Sequence, residues 1–252
     1  MISRYEAYMD DTSLSSLDNS IYVLDIQYGE VNKQISTTKV AGRVGSKISK
    51  NEAQSTSVTI LFEIHDYDTV RRNAVCQKVQ KWANGSILTV SDRPDQRLKC
   101  VCESYPHVNA KSWTEPLSVT FVGYNPPYWE EMDETEATYT DTEQSVFVPG
   151  NAPSSLVSCN VTISSSLTSI KLSVGSKFIQ LTGLSTSAND VIEIGYDENN
   201  IMFITLNDSS ILNKRTAASA DDLTAVCGEY NTFKAETTGS VTAVFTTRGC
   251  WY

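Results

Sequence analysis

Apolar side chains in this chain recur at every second position through most of its length, and that periodicity confines it to a β-rich fold. Val58, Ile60, Phe62 and Ile64 fall on one face of an extended segment, as do Leu117, Val119 and Phe121. Tyr22, Leu24, Ile26 and Tyr28 are read the same way within a strand over 20–28, and Leu98, Cys100 and Cys102 within a strand over 97–102. Helical spacing is convincing at one place: Val70, Ala74, Val75, Val79 and Trp82 predict a helix over 69–83. Asp66 and Asp68 precede it as N-cap candidates, and Gly85 follows as a stop signal.

Beyond residue 150 the pattern is all-β. Segments 156–163, 167–174, 177–181, 191–196, 201–206 and 240–245 alternate and are separated by Ser, Asn, Gly and Asp turns, as in a sandwich or jelly roll. Asp197-Glu198-Asn199-Asn200 reads as a tight turn between two of them. The run Asn125-Pro126-Pro127-Tyr128-Trp129 ends the preceding section, because consecutive prolines cannot continue a central strand. Residues 129–145 then hold seven acids and no base, and this stretch is read as a junction that can supply an edge strand. The fold class is therefore mainly β: an α+β domain over 1–128 with one helix, then a β-sandwich domain over 129–252. Residues 31–56 are polar, lack a core face and carry the turn signal Gly42-Arg43-Val44-Gly45. Such a stretch is an extended hairpin or a long functional loop.

Charge and chemistry exclude more than they select. Twenty basic against 30 acidic residues give a net charge of −10, which argues against a protein that grips phosphate backbones. No run approaches the roughly 20 apolar residues a spanning helix needs, and the first residues carry no apolar signal segment. Two histidines, His65 and His107, are the whole stock for a nucleophilic site, and no Gly-x-Ser-x-Gly elbow accompanies them. Glu130-Glu131, Asp133-Glu134 and Asp221-Asp222 are adjacent acids, not a pair held across a cleft. The six cysteines, at 76, 100, 102, 159, 227 and 250, lack zinc-site spacing and are read as buried, reduced thiols. Neither an enzyme nor a cofactor is expected. Exposed basic side chains on the helix, Arg71, Arg72, Lys78 and Lys81, are read as a solvated face or a docking face for an acidic partner.

The order of these elements resembles that of the distal tail proteins of long-tailed, non-contractile bacteriophages. The residues that carry the likeness are Gly42-Arg43-Val44-Gly45, the strand 58–64 and the helix ending Lys81-Trp82-Ala83-Asn84-Gly85. Ser91-Asp92-Arg93-Pro94-Asp95 and the Asn125 to Trp129 run follow. In the second half they are Pro149 to Pro153, Val191 to Asp197, Gly228 to Asn231 and Arg248 to Tyr252. The resemblance implies a galectin-like or carbohydrate-module-like second domain. It implies a virion protein at the tail tip, made in the host bacterial cytoplasm. Its partners would be itself in a homohexameric ring, the tail tube protein, a lysin-like tail-tip protein and a receptor-binding protein, with DNA only passing through the lumen. It gives the arm, at Lys39, Gly42, Arg43, Gly45 and Lys47, the role of reaching a neighbouring subunit. The alternative is a carbohydrate-binding module, for which Tyr196, Phe203, Tyr230, Phe233, Trp251 and Tyr252 are the stacking candidates.

Overall fold

The computed structural model describes residues 5–39, 44, 46–108 and 115–252. The chain forms two compact units, Met1–Trp129 together with Tyr252, and Glu130–Trp251.

The first unit is built on an antiparallel sheet in the order Ile21–Tyr28, Ser46–Ile64, Leu117–Gly123, Val101–Ser104. Its second sheet includes the strands Thr12–Ser13, Ala7–Met9, Ile87–Val90 and Arg93–Lys99. The predicted apolar face at Val58, Ile60, Phe62 and Ile64 is buried, and so is that at Leu117, Val119 and Phe121. The face read for the first strand is wrong. Ile21, Val23 and Ile26 are buried, while Leu24 is exposed. A β-bulge between Val23 and Asp25 inserts one residue and flips the alternation midway. The strand read over 97–102 is two strands. Arg93–Lys99 pairs in one sheet, Val101–Ser104 in the other, and Cys100 is buried at the crossing.

The helix is Thr69–Trp82, capped by the Asp68 carboxylate, which accepts from the Val70 N–H. Its buried stripe is Arg72, Val75, Cys76, Val79 and Trp82, a strict helical series. Val70 and Ala74, assigned to that stripe from sequence, face solvent. Extending the Trp82 stripe backwards lands on Arg72, a charged residue that hydrophobicity alone assigns outward. Trp82 meets Phe121 edge to face, with ring centroids 5.8 Å apart, and its indole N–H donates to the Thr12 carbonyl at 2.7 Å. Gly85 is needed for closeness: a Cβ there would stand 2.3 Å from a Met9 side-chain atom.

The second unit is a sandwich of two antiparallel sheets. One orders Thr135–Tyr139, Val241–Thr247, Ser155–Ile163, Val191–Tyr196, Met202–Leu206 and Ser209–Ser210. The other orders Gln144–Val148, Glu229–Thr237, Ser169–Val174 and Lys177–Thr182. Phe245 of the first and Phe233 of the second meet with ring centroids 5.4 Å apart, and both are buried. The acidic run does supply an edge strand, Thr135–Tyr139. The turn at Asp197 is as expected: its carboxylate accepts from the N–H groups of Asn199 and Ile201. The strand Glu229–Thr237 is absent from the sequence reading, because its buried face is Asn231, Phe233 and Ala235. Asn231 is tolerated inside because its amide bonds the Val226 N–H, the Val226 carbonyl and the Glu229 carbonyl.

Candidate functional site

The polar stretch 31–56 folds as a two-stranded ribbon. Asn32–Lys39 pairs antiparallel with the first part of Ser46–Ile64, from Asn32 opposite Ser55 to Lys39 opposite Ser46. Eight residues at roughly 3.3 Å each make it about 26 Å long. The long strand pairs with Ile21–Tyr28 and Leu117–Gly123 from Thr56 onward. Among the described residues, the ribbon therefore has no further strand on either edge. Its described residues on the outer strand are exposed or half-exposed, Ile35 among them at 61%. A lone two-stranded hairpin is marginal in water, and its free edges are templates for pairing with another chain. Two bulges, at Asn32/Lys33 and Ser36/Thr37, add local twist.

The root of the ribbon is held by aromatic and cationic groups of the same unit. The Tyr28 hydroxyl donates to the Asp92 carboxylate at 2.6 Å. The Arg93 guanidinium lies over the Tyr28 ring at 4.2 Å from its centroid and over Trp129 at 5.2 Å. Burial and the Asp92 carboxylate push the Tyr28 hydroxyl well above its ordinary pKa. Lys33 stands over the Tyr252 ring at 4.9 Å, and Tyr252 meets Tyr128 edge to face. None of these groups was singled out as part of the arm from sequence. A cation between two rings drawn from residues 28, 93 and 129 leaves no local signal.

The sequence-predicted arm residues divide. Lys39 is exposed at the far end of the outer strand. Lys47 lies in the inner strand opposite Thr38. Gly42, Arg43 and Gly45 lie outside the described residues. Over residues 31–56 the sequence holds five bases, Lys33, Lys39, Arg43, Lys47 and Lys50, and one acid, Glu52. The arm is thus basic on a chain whose net charge is −10.

The helix offers less. Arg72 is buried, so the expected face loses one of its four cations. Arg71 is paired with Asp66 at 3.1 Å and Lys78 with Asp18 at 2.9 Å. Lys81 is exposed along a groove lined also by Gln77, Gln80, Asn84, Tyr105 and His107. Lys78 donates to both Asp18 and the Leu17 carbonyl, tying the helix to the 3-10 turn Ser15–Leu17. That bond, with those from the Ser20 N–H and hydroxyl, holds the Asp18 carboxyl down from its ordinary 3.8 to about 2. A carboxyl depressed in the fold stabilises fully above its unfolded value and loses the effect as pH falls through the folded one. Asp18→Asn is therefore expected to lower the melting temperature at neutral pH. Its deficit against the parent should shrink as pH drops from 3.8 towards 2. Melts across that window check it; a deficit independent of pH would take the carboxylate out of the account.

The chemical candidates are occupied by structural duties. His65 is bound to Glu63 at 2.7 Å and lies beside Tyr22. The Cys76 thiol donates to the Pro106 carbonyl and is pushed up by burial. Among the described residues, no three His, Cys, Asp or Glu side chains gather as a metal site. Of the six aromatics considered for glycan stacking, Tyr230 is 75% exposed, Phe233 is buried and the others are half-buried. The Tyr196 hydroxyl exchanges hydrogen bonds with the Leu223 main chain. Tyr230 pairs with exposed Phe147 across two strands, but their planes meet at 60° and make no flat platform.

No protein-family model and no curated protein matches the chain. Solved structures do. The crystal structure of the SPP1 Dit protein, described as a paradigm of the hub adsorption apparatus in phages infecting Gram-positive bacteria, superposes with a TM-score of 0.67 at 14% identity. The match covers 96% of this chain and 98% of that one. The phage P2 baseplate in its activated conformation with Ca matches over 99% of this chain and 98% of its own, at 10% identity and a TM-score of 0.47. The chain shares, over nearly its whole length, the fold of the SPP1 Dit protein.

Proposed function

We propose that this chain is a structural virion protein: the distal tail hub, a ring of six copies that joins the tail tube to the tail-tip proteins and lets DNA pass. The single observation that carries the reading is the ribbon over 32–55, about 26 Å of paired backbone with no further strand on either edge among the described residues. Such a ribbon is completed by a second chain, and the main-chain groups along its edges supply the pairing. Its five bases against one acid suit a neighbour made of the same acidic chain. An arm on one face that docks on a different face of the next copy gives a head-to-tail contact, which closes into a ring when the rotation permits. The fold shared with the SPP1 protein supports the assignment. The acidity of the chain outside the arm fits a lumen wall that repels DNA. No catalytic step is part of this reading.

Light scattering on the purified chain at several concentrations tests it. Six copies of 27.8 kDa give about 167 kDa. That mass, alone or on co-expression with a tube protein, is the expected result. A monomer at every concentration and in the presence of the tube protein would overturn it.

A further inference from the structure

Two of the six cysteines meet in the second unit. Cys250 begins the short strand Cys250–Trp251, and Cys227 lies in the loop before Glu229–Thr237, one residue ahead of Gly228. Three stretches of main chain stack there with no side chain between them. Gly150 bridges to Cys250 in parallel, and the Asn151 and Ala152 N–H groups both donate to the Cys250 carbonyl at 3.0 Å. The Gly228 N–H donates to the Val148 carbonyl at 2.7 Å. A Cβ on Gly150 would lie 2.1 Å from the Cys250 carbonyl oxygen, and one on Gly228 2.9 Å from the Gly150 oxygen. Gly150 and Gly228 also sit at φ of +124° and +77°, which suits glycine. This stacking sets the side chains of Cys227 and Cys250 beside each other. Both are buried and both are free.

We propose that Cys227 and Cys250 are a latent disulfide, held as a dithiol in reducing surroundings and closed by a low-molecular-weight disulfide in oxidising ones. The roles are unequal. The Cys250 side chain and main-chain N–H beside it hold the Cys227 thiol down, while Cys227 and burial push the Cys250 thiol up. Cys250 is held further by the Arg248 carbonyl and the Ser155 hydroxyl. Cys227 is therefore the attacking thiolate and Cys250 the resolving thiol. With glutathione disulfide, Cys227 displaces one glutathione and forms a mixed disulfide. Cys250 then gives up its proton, attacks the Cys227 sulfur and displaces the second glutathione. Two protein thiols are oxidised and one glutathione disulfide is reduced to two thiols.

The bond would close a ring from residue 227 to residue 250. That ring contains Glu229–Thr237 of one sheet and Val241–Thr247 of the other, so it joins both layers of the sandwich near the chain end. The other cysteines lack this arrangement. Cys159 is pushed up by burial alone, and Cys100 is pushed up to about 12 chiefly by burial. The inference stands apart from the tail-hub reading, since it needs only a change of redox surroundings.

The test is oxidation of the reduced full-length chain with excess glutathione disulfide, then alkylation, trypsin and mass spectrometry. The expected product is lighter by two hydrogens and links the peptide of residues 216–234 to that of 249–252. Its melting temperature should rise by about 5–10 °C and fall back with dithiothreitol. Cys250→Ser should keep a glutathione adduct on Cys227. Free alkylation of both cysteines after oxidation, a link mapped to other thiols, or an oxidised chain that melts lower would each overturn the proposal. The mapping on the parent chain decides the matter even where the variant fails to fold.

Discussion

Replacing residues 33–54 by a two-residue Asn-Gly turn is expected to leave a folded monomer in place of the proposed ring. The geometry permits the change, since Asn32 stands opposite Ser55 at the root and Asn-Gly suits a two-residue hairpin turn. The fold should survive, because no buried apolar side chain comes from the described part of the ribbon. The melting temperature is expected to stay within a few degrees of the parent, as for changes away from the core. The assembly should not survive, because the ribbon carries two backbone edges with no further strand among the described residues and most of the basic charge of its region. Light scattering reads the outcome as a fall from about 167 kDa to one chain's mass. An intact ring without the arm would remove the ribbon from the subunit contact. A chain that unfolds would show that the root, not the reach, is what the ribbon provides.

A large stability loss from a single substitution is expected at Phe121. Its ring is 0% exposed and meets Trp82 edge to face, so it joins the helix to the central strand Leu117–Gly123. Phe121→Ala removes the buried ring and leaves a cavity, which costs about 3–5 kcal/mol in cores of this kind. The aromatic pair adds about 0.5–1.5 kcal/mol beyond its area. Urea denaturation followed by tryptophan fluorescence measures it. A loss within about 0.5 kcal/mol, the size of a surface change, would contradict this account of the core. Ile35→Ala on the arm is the control. At 61% exposure it should leave stability within that same 0.5 kcal/mol or so and affect assembly alone.

The helix shows where local pattern reading stops. Its position and N-cap were legible, because Asp68 and the spacing of Val75, Val79 and Trp82 are local signals. Its buried stripe differs from that reading at the start, because Arg72 packs inward and Val70, two positions earlier, faces outward. Hydrophobicity assigns faces by residue type, but a stripe is continued by geometry once Trp82 is docked. The first strand failed for a related reason. A bulge at Val23/Asp25 resets the alternation, and nothing in Val-Leu-Asp marks it. The single strand over 97–102 failed because one run of alternating residues passes from one sheet to another, although Leu98 and Cys100 are both buried as read.

The sequence by itself determined the β-rich class, the single long helix, the run of strands in the second half and the polar stretch that becomes the arm. Each rests on periodicities of two or 3.6 residues and on turn residues a few positions apart, so a short window holds the signal. Tertiary structure alone decided the rest. It placed Arg93 over Tyr28 and Trp129, set Asn231 inside the sandwich, left the ribbon with no further strand on either edge among the described residues and brought Cys227 to Cys250. These pairings join residues tens of positions apart through sheet register and main-chain stacking. Side-chain chemistry along the chain does not encode which distant segment will lie alongside until the sheets have packed.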